Sequence, residues 1–184
     1  MDQLFAPWRI DWVRREHPPT EDCVFCVLPD RKTDRETLIV ARSESSYVLL
    51  NNHPYNPGHV MIIPRRHTED LRGLSDAELL DQAMLTQVTL TALETAMDPD
   101  GFNTGTNLGR AGGGSIDHVH THVVPRWESD ANFMAVVDDT RVIVQALEDT
   151  YDELHAAFGE MDGARTSGED HAVEICLETT SRDR

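Results

Sequence analysis

Between Ile116 and Trp127 the chain reads IDHVHTHVVPRW, which sets His118, His120 and His122 at every second position of an otherwise apolar run. In a strand, alternate side chains share a face, so three imidazoles spaced by about 7 Å would line one side while Val119, Thr121 and Val123 pack on the other. Several chemistries suit such a row. Neutral imidazole is a nucleophile and proton carrier near neutral pH. It is also a metal ligand, and His-x-His completed by a third histidine or a carboxylate would make an open site for zinc-dependent hydrolysis. Plain hydrogen-bonded histidines are the remaining reading, which suits one such residue better than three.

The segment feeding the row, Gly109-Arg110-Ala111-Gly112-Gly113-Gly114-Ser115, can turn backbone N–H groups toward an anion, with Arg110 and Ser115 adding side-chain donors. It is a candidate phosphate cradle, although it lacks the Gly-Lys-Ser/Thr ending of a P-loop, and its glycines equally describe a hairpin connection. Upstream, Cys23-Val24-Phe25-Cys26 has zinc-knuckle spacing. Redox pairs share that spacing, but this one follows Glu21-Asp22 in a turn-like setting without a neighbouring cation to lower a thiol pKa. Three cysteines in 184 residues make no disulfide framework, and Cys176 has no local partner.

The elements that must position these groups are legible as hydrophobic patterns. TLIVAR, YVLLNN and HVMIIPRRH are short apolar or β-branched runs divided by turn residues, which predicts three strands of an antiparallel meander. Ser75-Asp76-Ala77-Glu78 fits a capping box, after which Leu80, Met84, Val88 and Ala92 recur at helical spacing as far as MDPDG. GFNTGTNLG and HVHTHVVPR read as two more strands flanking the glycine-rich segment. A C-terminal helix is expected over 138–158, carrying Val142, Val144, Leu147, Tyr151 and Leu154. Residues 1–20 read as an N-terminal arm with Phe5, Trp8 and Trp12, residues 21–137 as the main domain, and residues 159–184 as a disordered acidic tail.

Composition narrows the function classes. Sixteen basic residues against thirty-three acidic ones give a net charge of −17, which disfavours binding to nucleic-acid backbones or anionic lipid. Any anionic ligand must therefore meet local donors. Lys32 is the sole lysine, and the arginine-rich, acid-rich balance resembles proteins of salt-rich cytosols, an ordinary acidic protein with an acidic tail being the other reading. No apolar run is long enough to span a membrane and no signal segment precedes the arm, so a cytoplasmic location is expected.

His118-Val119-His120-Thr121-His122-Val123-Val124 resembles the His-x-His-x-His-x-x signature of the histidine triad (HIT) nucleotide-binding family. YVLLNNHPYNPGHVMIIPRRH resembles the strand pair that precedes this signature, while FAPWRIDWV and VVPRWESDANFM resemble the family's diadenosine tetraphosphate phosphorylase-like branch. Thr121 stands at a usually apolar position, and Gly114 stands where many members carry glutamine. The resemblance implies an α+β HIT-like fold, a five-stranded antiparallel sheet with one long helix and a C-terminal helical extension, assembled as a homodimer.

It also implies nucleotidyl transfer through a covalent histidine intermediate, with dinucleoside polyphosphates as substrates, no organic cofactor, and phosphorolysis somewhat favoured over hydrolysis. His120 would be the nucleophile, His122 would hold phosphoryl oxygens, and His59 would orient the row from behind. Asn51 would meet the ribose, Asn107 the phosphate side, and Ser115 the leaving group, with Arg110 and the backbone of Gly112, Gly113 and Gly114 nearby. A structural zinc would be bound by Cys23, Cys26, His67 and His118. The competing readings are a regulatory nucleotide-binding protein with a slow triad and a zinc hydrolase using the whole row as ligands. His17, His53, His155 and His171 read as surface or packing residues.

Overall fold

A computed structural model describes residues 23–31, 33–128, 130 and 146–177. The N-terminal arm and residues 131–145, which include Val142 and Val144, lie outside the described residues. The elements run α1 (Val24–Val27), α2 (Asp34–Thr37), β1 (Ile39–Arg42), β2 (Ser46–Leu50), β3 (Val60–Pro64), α3 (Asp76–Met97), β4 (Gly101–Thr106), β5 (Thr121–Arg126), α4 (Leu147–Gly159), β6 (Ala164–Arg165) and β7 (Val173–Ile175), with short 3-10 turns at Leu28–Asp30, Leu71–Gly73 and Arg110–Gly112. No described helix is long and apolar enough to cross a membrane.

The meander forms as the pattern predicts, β1 with β2 and β2 with β3, and β5 joins β3 on one side and β4 on the other, all antiparallel. The sheet is nonetheless seven-stranded and mixed, in the order β4-β5-β3-β2-β1-β7-β6, because β7 adds to β1 in parallel. The expected five-stranded antiparallel sheet is therefore corrected. So is the expected disordered tail over its described part: residues 164–175 contain two strands. Strands this short carry no readable period. They are fixed by burial of Val173 and Ile175 against the core and by the parallel pairing of Ala41 with Val173.

Period-two alternation divides the sheet's two faces. Val48, Leu50, Val60, Ile62 and Val123 meet Leu85, Ala92 and Leu93 of α3 and Tyr151, Leu154 and Phe158 of α4. Tyr47, Leu49, Met61 and Ile63 gather on the opposite face with Phe25, Ile39 and Ala172. That second face carries the site.

The capping box on α3 is present, with the Ser75 hydroxyl accepting from the Glu78 N–H and the Glu78 carboxylate accepting from the Ser75 N–H. The buried seam of α3 differs from the expected stripe, running through Gln82, Leu85, Thr89, Ala92 and Leu93, while Leu80 is half exposed. Thr89 tolerates burial because its hydroxyl donates to the Leu85 carbonyl, a local solution that a count of apolar residues cannot register.

Candidate functional site

The histidine row is not the strand it resembles. β5 begins at Thr121, and β3 pairs with it only through Val60–Val123, Met61–His122 and Ile62–Thr121. Below that point the Val119 N–H donates to the Thr68 carbonyl instead, and His118 lies in a bend. This departure from the ladder lets the three rings take different partners, although all three remain buried.

His118 turns toward the cysteines. Its Nε2–H donates to the Pro64 carbonyl at 2.9 Å, which leaves the Nδ1 lone pair facing Cys23 Sγ at 3.4 Å and Cys26 Sγ at 3.6 Å. Burial, with some help from the nearby His67 and His120 rings, holds the His118 pKa down to about 4. His67 Nδ1 lies 3.4 Å from Cys26 Sγ, and the donor atoms of the four residues all lie within 4.8 Å of one another. Tetrahedral zinc with bonds of about 2.3 Å to sulfur and 2.0 Å to nitrogen requires donor separations of about 3.5 Å. The set therefore fits a closed Cys2His2 zinc site, and the Pro64 carbonyl supplies the outer partner that fixes a ligating imidazole.

His120 Nδ1–H donates to the carbonyl of His118 at 2.8 Å, which fixes the tautomer with the lone pair on Nε2. The His122 proton is fixed by a longer chain. The Tyr55 N–H can only donate, and it does so to His59 Nδ1 at 3.0 Å. Neutral His59 must then carry its proton on Nε2, which donates to His122 Nδ1 at 3.0 Å. Neutral His122 in turn presents Nε2–H as a donor. His59 is fully buried and stacked on the Tyr55 ring at 4.8 Å. It sits directly against His122 of the row.

A cavity of about 320 Å³ opens beside His120 and His122, walled by Phe25 of α1, by Leu49 and Met61 from the sheet face, by Glu36, Thr37 and Leu38 at the end of α2, and by Asn51, Ser115 and Ile116. Asn51 and Ser115 thus share a cavity with His120 and His122. The cradle is a different matter. The N–H groups of Gly112 and Gly114 donate to the Gly109 carbonyl and that of Gly113 to the Arg110 carbonyl, closing a compact 3-10 turn. Those three donors are spent inside the loop, and Arg110 and Asn107 are not among the cavity's walls.

His53, expected on the surface or in packing, also lines the cavity, whereas His155 is half-buried and contacts the His171 carbonyl. Two participants were not read from the sequence. Phe25 sets its ring edge-on against both His118 and His120, at 5.8 Å and 5.2 Å, and Tyr55 starts the tautomer chain. Phe25 was findable from its place between the two cysteines. Tyr55 acts through a backbone N–H that its residue type does not reveal.

Residues 32–129 match the HIT domain family, and the chain belongs to it. An AP-4-A phosphorylase of Mycobacterium tuberculosis is 38% identical over 158 residues, covering 82% of this chain and 80% of that protein. A bis(5'-adenosyl)-triphosphatase of Dictyostelium discoideum is 30% identical over 96 residues, 52% of this chain and 64% of that one. A zinc-bound histidine triad family protein from Mycobacterium smegmatis superposes with a TM-score of 0.62 at 26% identity, over 77% of this chain and 96% of its own.

Proposed function

We propose that the chain is a nucleotidyl-transferring enzyme that cleaves dinucleoside polyphosphates through a covalent nucleotidyl-His120 intermediate. The observation that carries this reading is the fixed tautomer of His120, whose Nδ1–H is held by the His118 carbonyl so that the Nε2 lone pair is the nucleophilic one, at the wall of a nucleotide-sized cavity. The phosphorylase and triphosphatase relatives support the substrate class.

In the first step His120 Nε2 forms a bond to the α-phosphorus as the bridging bond to the next phosphate breaks, releasing the remaining polyphosphate. His122 Nε2–H, oriented through His59 and Tyr55, donates to the phosphoryl oxygens as negative charge gathers there. In the second step an acceptor oxygen displaces His120. Water gives AMP and inorganic phosphate gives ADP, each acceptor losing one proton. Asn51 binds the ribose and Ser115 serves the leaving group.

Zinc held by Cys23, Cys26, His67 and His118 would supply structural closure, with four protein ligands and no open position. A metal site built from the whole row is disfavoured, because the His118 lone pair faces the cysteine pair and His122 Nδ1 accepts from His59, which leaves the proton on His122 Nε2. A homodimer completes the reading, to be checked by light scattering.

Phosphorolysis is the favoured second step, on the similarity to the mycobacterial phosphorylase. The test is incubation with diadenosine tetraphosphate with and without inorganic phosphate, followed by nucleotide separation. Phosphate-dependent ADP plus ATP is expected. AMP plus ATP at a phosphate-independent rate would make the enzyme a hydrolase.

A further inference from the structure

The cavity wall at Glu36, Thr37 and Leu38 belongs to α2, which has four residues and cannot sustain itself, since a single helical turn fixes more backbone than its hydrogen bonds return. Its N-cap Thr33 makes no capping hydrogen bond through its side chain. The N–H groups of Asp34 and Arg35 donate instead to the carbonyl of Asp170, at 3.0 Å and 3.3 Å, so a residue from the far end of the chain caps this turn. The buried Asp34 carboxylate accepts from the Ala172 N–H at 2.9 Å and from the Arg42 guanidinium.

On the outer side Arg35 pairs with both carboxylate oxygens of Asp152 in α4, at 2.5 Å and 2.9 Å, and lies 5.2 Å from the Tyr151 ring centre. The Tyr151 hydroxyl donates to the Ile39 carbonyl just past the turn. Between these ties Leu38 holds φ at +63°, a left-handed conformation that leucine adopts only where its surroundings impose it. Ala172 packs in the same apolar cluster as Phe25, Leu49 and Met61, which line the cavity. Apart from the Arg42 guanidinium, every one of these ties comes from residues 151–172, beyond the 32–129 span that matches the family.

We propose that the C-terminal annex, α4 with β6 and β7, is a positioning device for the nucleotide cavity: it clamps α2 and the left-handed turn at Leu38, and so sets affinity for the nucleoside without touching the reacting atoms. The inference rests on the proposed nucleotide reading of the cavity. Among the described residues, the hydrogen bonds that fix the tautomers of the His120 and His122 rings run through His118, His59 and Tyr55, none of which belongs to α2. Loosening the clamp therefore acts on binding and leaves the chemical step alone.

The experiment uses the full-length, metal-replete protein with Arg35→Asp, Asp152→Arg, the double exchange, and Asp34→Asn. AMP binding is measured by calorimetry, and KM and kcat with diadenosine tetraphosphate. Arg66→Ala, which breaks the Arg66–Glu78 pair at the start of α3, is the control for an ion-pair loss elsewhere. Arg35→Asp is expected to raise the AMP Kd and the KM about three- to tenfold with kcat within about twofold, and the double exchange to restore both.

Arg66→Ala should leave Kd and KM unchanged. Should Asp34→Asn fail to fold, the surface exchange decides by itself. Unchanged Kd and KM in Arg35→Asp, or a loss confined to kcat, in a wild type that binds and cleaves normally overturns the clamp alone. A wild type that neither binds AMP nor cleaves the dinucleotide overturns the nucleotide reading and the clamp together.

Discussion

For His120 the deciding atom in the proposed mechanism is Nδ1. The Nδ1–H donated to the His118 carbonyl fixes the tautomer with the lone pair on Nε2, and in the proposed mechanism that carbonyl would support the positive charge that forms on attack. On that mechanism His120→Ala should lower kcat by about a thousandfold or more while AMP binding persists, since it would remove only the proposed nucleophile. Single-turnover assay and calorimetry on the same sample check this, and wild-type turnover in the variant would rule out the covalent route. His118 serves two masters, offering its ring to the cysteine pair and its carbonyl to His120. Cys26→Ser should therefore reduce co-purifying zinc and lower the melting temperature, because a closed metal site contributes to folding. Metal analysis that finds no zinc in wild-type protein prepared without chelators would remove the site.

Turns, rather than strands, carry the finer positioning. Gly58 precedes His59 at φ +72°, and a Cβ there would lie 2.6 Å from Met97 Sδ and 3.1 Å from Leu93 Cδ2. Gly58→Ala should cost about 2–4 kcal/mol from left-handed strain plus overpacking, read by urea unfolding; an unchanged midpoint would show that the turn has room. The same turn is tied to the end of β5 through Asp130, which accepts from the Asn56 side chain and from Arg126.

The bond from Arg126, aided by Asn56 and the Trp127 N–H, lowers the Asp130 pKa to about 2 against the partial opposition of burial. The folded pKa thus lies below the unfolded value of about 3.9. The associated stability is present above pH 4 or so and is lost as pH falls toward about 2. Asp130→Asn should flatten that acid limb in melting scans, and a limb as steep as the wild type's would locate the acid sensitivity elsewhere. The meander, the capping box and the His-x-His-x-His spacing were legible because each repeats a local period or a local cap. The paired β6 and β7, the irregular backbone at His118–His120 and the self-closed Gly109–Gly114 turn were not, because each is decided by a partner's carbonyl or a distant apolar surface.

Charge acts on the molecule as a whole. At −17 over 184 residues, like charges repel across the surface more strongly in the compact state than in the expanded chain, and the long-range part of that repulsion extends about 10 Å at 0.1 M salt and about 3 Å at 1 M. The favourable pairs work against the same screening. Arg35–Asp152, Arg66–Glu78 and Arg72–Asp70 are largely exposed and individually weak, whereas Arg42–Asp34 is buried and little affected by salt. With thirty-three acidic residues against sixteen basic ones, the repulsive pairs outnumber the attractive ones, so net screening favours the fold. The melting temperature should therefore rise as potassium chloride increases from 0.1 M to about 1 M, most steeply at the low end where the screening length changes most. Calorimetric scans at constant pH decide the matter. A melting temperature flat across that range would mean that local pairs already balance the excess charge, and a falling one would mean that the exposed arginine bridges dominate.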